Sequence, residues 1–468
     1  MSHTLKIRKI SPFTPVDRKL SFMRPPAERS RDRALDRSIL ALAVPALGAL
    51  VAEPLFVLVD SAVVGHLGTA ELAGLSLAST ILMTVVGLCV FLAYATTAAV
   101  SRRAGAGHRA EALQAGIDGL WLALALGLAL AVGLGLAAPG VVGLLGADAD
   151  VARHAADYLR WSVPGLPGML VVLASTGVLR GMLDTRTPLY VAVGGAVLNT
   201  VLSITLVWGL GLGIAGSGAG TAVAQLAMAF VLVAVVVRFA RRERVSLRPQ
   251  RGGIWASARD GLPLVVRTLS LRLAILLTVW VATGLGAVTL ASHQVVNSVW
   301  GLTAFALDAL AIAAQALVGH GLGAGDTARV RTVLRRTLRW GLGAGVVLGV
   351  VVAAASPLLA PLFTQDPEVR RAVVAGLVTT AVLLPLAGWV FVLDGVLIGA
   401  GDGRYLAWAG MATLVAYVPC ALAVRAWAPA GTWGVVWLWL AFGGVFMLAR
   451  ALTTGLRARG TAWMVTGS

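Results

Sequence analysis

Hydropathy along the chain rises and falls twelve times. Apolar runs cover residues 39–65, 71–99, 114–138, 155–179, 187–208, 214–237, 260–284, 287–318, 337–359, 371–398, 404–424 and 431–449. About 20 mostly apolar residues cross a bilayer as a helix, because each residue rises about 1.5 Å. The intervening stretches are short and rich in Gly, Pro and Arg, which leaves almost no room for a soluble domain. The pattern therefore predicts an all-α polytopic membrane protein of twelve transmembrane helices. Pro164 and Pro167 in the fourth run and Pro385 in the tenth predict bends, since proline frees a backbone carbonyl of the helix it sits in.

Composition agrees: 58% of the 468 residues are hydrophobic and 13% charged, with a mean hydropathy of +0.86. The formal net charge of +17 would suggest nucleic acid in a soluble chain. In a membrane chain the question is which loops hold the Lys and Arg. Placing the N-terminus in the cytoplasm puts 31 of the 38 basic residues on that side. Arg153, Arg160, Arg370, Arg371 and Arg425 fall on the other, and Arg267 and Arg272 lie within the seventh run. Both termini are thus expected to be cytoplasmic, the basic excess being a topology signal compatible with anionic lipid contact rather than nucleic-acid binding. Cys89 and Cys420 each sit inside a run with no partner at ligand spacing, so neither a disulfide framework nor a metal site is expected. The first run is too long for a signal peptide and is interrupted by Glu53 and Asp60. Residues 1–37, basic and broken by Pro12, Pro15, Pro25 and Pro26, read as a flexible cytoplasmic tail. The preference for Arg over Lys and the Ala, Gly and Val excess suggest a GC-rich bacterial genome, hence a bacterial cytoplasmic membrane.

An internal repeat organises the chain. Gly105, Ala106 and Gly107 recur as Gly323, Ala324 and Gly325, an offset of 218 that also carries Leu72–Ala73 onto Leu290–Ala291 and Pro167 onto Pro385. The same offset carries Leu179, Gly181, Asp184 and Arg186 onto Leu397, Gly399, Asp402 and Arg404. Six runs per half is an even number, so the halves are parallel repeats about an axis along the membrane normal, with a binding cavity between them. The expected units are a first lobe over 38–240, a linker over 241–258, a second lobe over 259–452 and a tail over 453–468. The turns RGMLDTR and IGAGDGR read as helix ends in which Asp184 and Asp402 cap the next helix.

Ionisable groups at membrane depth are costly and usually carry substrate or ion. Asp60 is the first such candidate, the alternative being a carboxylate near enough to a helix end to be solvated or paired. Glu53 precedes Pro54, where it could instead bond backbone groups freed by a kink. Asn199 is the strongly polar side chain of the fifth run and could orient a carboxylate or a substrate, or bond between helices; Gln225 reads as interhelical glue. The second half holds Arg267, Arg272, His293, Gln294, Asn297, Asp308 and Asp394. Arg267 and Asp308, of opposite charge in adjacent runs, are expected to pair, and His293 is expected near a helix end as a solvated cap. At the position matching Asp60 the second half has Thr278, so acid chemistry leans to the first half.

EPLFVLVDSAVVGHLGTAELAGL (53–75), LGAVTLASHQVV (285–296), LDALAIAAQALVGHGLGAGD (307–326) and the LRGMLDTRTP turn resemble the multidrug and toxic compound extrusion (MATE) family, in particular its DinF-like branch. The resemblance spans the chain after residue 37. It implies two V-shaped six-helix lobes and secondary efflux of organic cations or amphipathic toxins in exchange for protons or sodium. It places the family's first-span acid on Asp60 and its first-lobe asparagine on Asn199. Relatives with a full cation site commonly carry an aspartate four residues after that asparagine, where this chain has Ser203. Sodium prefers several oxygen ligands including carboxylates, so the departure favours proton coupling. In that scheme Asp60, charged when the lobes open inward, holds a cation until a proton from outside displaces it. The alternative is a flippase for lipid or polyprenyl-linked cargo on a similar two-lobed frame. HExxH and GxSxG motifs are absent, and an enzyme is not expected. The expected partners are small organic molecules and membrane lipids, the expected state a monomer.

Overall fold

The computed structural model describes residues 26–467 apart from 145 and 147, with side chains from Asp32 onward except at 53, 139 and 144. Residues 1–25 of the expected tail lie outside the described residues, and so does the Glu53 side chain. The described chain is helical, without strands. In order, the helices are α1 (Pro26–Gly65), α2 (Thr69–Gly105), α3 (Arg109–Leu144), α4 (Ala149–Gly181), α5 (Arg186–Gly209) and α6 (Gly213–Arg242). They continue as α7 (Arg251–Gly284), α8 (Ala287–Gly323), α9 (Thr327–Phe363), α10 (Pro367–Gly399), α11 (Gly403–Trp427) and α12 (Thr432–Arg459). All twelve are long and apolar enough to span a bilayer. Large apolar side chains such as Leu136, Phe230, Leu362 and Trp427 stand exposed on the outside of the bundle, where only lipid could cover them.

Most helices outrun their apolar stretches. The start of α1 corrects one expectation: residues 26–37 are helical, and Asp32 and Asp36 sit there as ion partners of Arg336. Irregular turns mark four helices. α2 breaks at Cys89–Val90, α4 makes a 3₁₀ turn over Val163–Gly165 around Pro164, and α5 and α12 widen to π turns over Thr205–Gly209 and Leu440–Phe446. The Asp184 carboxylate accepts from the amides of Arg186 and Thr187, each at 3.0 Å, and so caps α5 as expected. Asp402 instead accepts from Arg457 Nε at 2.7 Å.

Packing follows the repeat. In the first half α3, α2 and α6 all lie against α4; in the second, α9, α8 and α12 lie against α10. Across the halves the pairs include α2 with α8, α1 with α8 and α2 with α7. The offset of 218 exchanges the last two pairs and maps the first onto itself, as a two-fold axis requires. The cores show where the halves meet. One continuous apolar cluster joins first-half residues to Leu317, Leu322, Val396, Ala400 and Trp463, near the end that carries the basic loops. A separate cluster around Trp300, Leu377 and Trp439 fills the opposite end of the second half alone. The lobes are therefore joined at the basic end. The linker is tied down on α3 beside it: Trp121 Nε1 donates to Leu247 O (3.0 Å) and the Gln250 amide to Asp118 Oδ1 (3.2 Å).

At that joint the repeated glycines face each other across the axis. A Cβ on Gly105 would stand 2.6 Å from His320 Cα, and one on Gly323 would stand 2.8 Å from the Arg102 carbonyl carbon. Backbone meets backbone here, so no side chain can yield. Gly105→Val is expected to force the basic end open and to lower the thermal unfolding midpoint of the purified protein, while the same change at Gly143, which has open space around it, is expected to be silent. Thermal unfolding of the two variants beside the parent checks this.

Candidate functional site

Asp60 lies on α1 six residues beyond Pro54, and its side chain is 5% exposed. Three helices converge on it. Ser203 Oγ, on α5, donates to Oδ1 at 2.8 Å, and Thr221 Oγ1, on α6, donates to Oδ2 at 3.0 Å. Asn199 stands one turn before Ser203 on the same face of α5. Its amide Nδ2 donates to Thr221 Oγ1 at 3.2 Å. A hydroxyl has one proton to give, and Thr221 gives it to Asp60, so in its 3.3 Å contact with Tyr158 the phenol is the donor. Close packing of α6 on α5 makes this reach possible: a Cβ on Gly220 would already lie 3.2 Å from the Ser203 amide nitrogen. Two features stand out chemically. Among the described residues no cation pairs with Asp60, and Asn199 Oδ1 is buried without a partner. The site thus unites Asp60 and Asn199 through Thr221, and puts Ser203 in direct contact with the acid.

The second-half polar set forms a different object, and two expectations fail there. Arg267 does not bond Asp308. Its Nη2 donates to Asp394 Oδ2 at 2.5 Å, and Arg450 of α12 donates to the same oxygen. Packing of α7, α12 and α10 sets that pairing, not adjacency in sequence. Asp308 is half-buried on α8, and Arg267 reaches over the Tyr94 ring of the first lobe (6.0 Å to the centroid). Nor is His293 a solvated cap. It is 2% exposed, packed on Trp439 with ring centroids 5.6 Å apart, and among the described residues neither ring nitrogen has a partner. Gln294, next to it, is exposed. Thr278, which matches Asp60 in the repeat, bonds Tyr417 Oη at 2.7 Å inside the second core. The acid site has no counterpart in the second half.

The duplicated twelve-helix chain has relatives. The MatE family model matches residues 45–205 and again 263–422, beginning 218 residues apart. The chain belongs to the MatE family. Its members are membrane transporters rather than enzymes, which handle small molecules. The plant protein DETOXIFICATION 44, chloroplastic, of Arabidopsis thaliana is 32% identical over 90% of this chain and 82% of its own. DNA damage-inducible protein F of Escherichia coli K12 is 27% identical over 78% and 81%. A MATE crystal structure in a bent conformation covers 92% of the chain, with a TM-score of 0.83 at 22% identity, and shows the shared fold.

Within this MatE chain, sequence reasoning misses four polar residues. Thr221 and Tyr158 are the joints of the Asp60 network, and nothing in the sequence separates them from the many hydroxyls of apolar helices. Arg180 and Arg450 read as basic residues of loops, yet each is only 8% exposed inside the bundle. The sign that could have found Arg450 is charge balance: Asp394 sits deep in an apolar helix and needs a cation.

Proposed function

We propose that this MatE transporter exports organic cations or amphipathic compounds by alternating access, and that Asp60 couples the cycle to protons. One observation carries the reading: Asp60 is a buried carboxylate on an apolar, span-length helix, bonded by hydroxyls and, among the described residues, paired with no cation. Such a group holds a cationic cargo or a proton, and not both. On taking up a proton it becomes a donor. With that proton on Oδ2, the Thr221 hydroxyl turns toward Tyr158, and the bond sequence Tyr158 to Thr221 to Asp60 reverses direction. The state of one carboxyl is thereby passed to α5, α6 and α4 together. With Ser203 where a second acid would stand, one proton per cycle is the reading, and exchange for a monovalent cation moves no net charge.

A second reading has its own support. The unpartnered Asn199 Oδ1 adds one more oxygen to those of Asp60, Ser203 and Thr221, a set suited to sodium. Efflux of a cationic dye from cells lacking their own pumps separates the two: collapse of the proton gradient is expected to stop it, and removal of sodium to leave it intact. The reverse result selects sodium, and no efflux at all selects lipid-linked cargo. By the same reading the chain is a monomer of a bacterial cytoplasmic membrane, with lobes at 38–240 and 259–452. Its basic end and both termini lie on the cytoplasmic side.

A further inference from the structure

Arg102, which the sequence offers only as one more loop cation, has its guanidinium turned into the joint between the lobes. It stands near the end of α2 in the first lobe, and all its side-chain bonds go to backbone carbonyls of the second. Nη1 donates to Ala400 O at the end of α10 (2.9 Å), Nη2 to Val465 O (3.0 Å) and Gly467 O (2.9 Å), and Nε to Gly467 O (3.2 Å). The last two acceptors belong to the stretch after α12. That stretch is folded back and fixed to the second lobe. Trp463 is 1% exposed in the shared core, with its indole N–H bonded to Gly460 O at 3.1 Å, and the Gly467 amide donates to Leu322 O at 3.2 Å. Gly467 has φ of 101°, a conformation that suits glycine and strains a branched residue.

We propose that residues 461–467 form a strap that latches the lobes at the basic end, with Arg102 as the bolt it receives. The proposal rests on the alternating-access reading. The strap stays with the second lobe because it continues α12 and because the Gly467 amide holds Leu322 O, whereas the bonds from Arg102 cross between lobes. These bonds exist only while the basic end is closed, and so bias the cycle toward that state. The receiving carbonyls carry no charge of their own. The latch therefore reads the backbone path of the strap, and the carbonyl of Ala400 adds the negative end of the α10 dipole. A second clasp lies on the other flank: Asp36 of α1 accepts from Arg336 and, at 2.8 Å, from Trp340 Nε1 of α9.

The test uses the full chain with Cys89 and Cys420 replaced by Ala and a reporter, Ser101→Cys. Ser101 is fully buried and packs on Gly319 of α8 across the joint. Maleimide labelling is followed in membranes for this parent, for Gly467→Val, for a chain ended at Gly460, and for Asp36→Ala. Gly467→Val disturbs the strap alone and guards against a truncation that misfolds. Labelling about tenfold faster in Gly467→Val and in the shortened chain is expected, a shift of about 1.4 kcal/mol in the opening equilibrium. If Asp36→Ala speeds labelling and the strap variants do not, the latch is wrong while alternating access stands. If no variant and no applied ion gradient changes labelling, the joint does not open and both fall.

Discussion

Asp60→Asn is expected to abolish ion-coupled export while leaving the protein folded. The amide matches the carboxylate in shape and can still accept from Ser203 or Thr221, so packing of α1, α5 and α6 is kept. Its loss is a charge that can be switched. A cycle needs roughly 1.4 kcal/mol of differential affinity for each tenfold bias between its states, and a group that is neutral at every pH supplies none to a cation. Efflux should fall by about a hundredfold or more, and its dependence on external pH should vanish with it. Ser203→Ala removes one donor from a carboxylate that keeps another and should slow export by about tenfold at most. Initial rates of dye efflux across a pH series, at matched expression, check both variants.

The second large effect lies in the other lobe and concerns stability. Asp394→Ala should destabilise the second lobe by about 3–5 kcal/mol, because it leaves Arg267 and Arg450 buried side by side without their shared anion. Three side chains on α7, α10 and α12 meet at this carboxylate, so the lobe should loosen as a unit. Replacing all three residues by apolar ones of similar size should recover much of the loss, since a buried charge cluster is costly to break and cheap to exchange whole. Thermal unfolding of the purified variants, followed by tryptophan fluorescence, gives the comparison. A stable Asp394→Ala protein would mean that the two arginines reach water or lipid phosphate.

The frame is legible because its signals are compositional. Twelve apolar runs exceed anything a soluble core requires, and one offset of 218 recurs both in scattered residues and in the two matched segments of the family. Asp60 and Asn199 are legible for the same reason: a carboxylate or an amide in an apolar run is conspicuous by its cost. The joints between them are not. Thr221 matters through the rotation of α6 against α5, which depends on close approach at Gly220 and leaves no mark on hydrophobicity. Arg102, Arg180 and Arg450 are hidden by a rule that works, since arginines at helix ends usually report topology. The Arg102 and Arg450 side chains fold inward here because backbone carbonyls and Asp394 wait inside the bundle. Arg267 bonds a different aspartate from the expected one because neighbours in sequence need not be neighbours in space. His293 departs from expectation because the start of α8 is covered by Trp439 instead of facing water.

By the proposed cycle one carboxyl, Asp60, exchanges a proton for the cargo. The most direct measurement places purified protein in sodium-free liposomes containing a pH-sensitive dye and adds a cationic substrate outside. A substrate-dependent movement of protons across the membrane is expected for the wild type, unchanged when the membrane potential is clamped at zero, and none for Asp60→Asn. Proton movement that persists in Asp60→Asn, or substrate uptake that appears only when sodium is supplied and moves no protons, would contradict it.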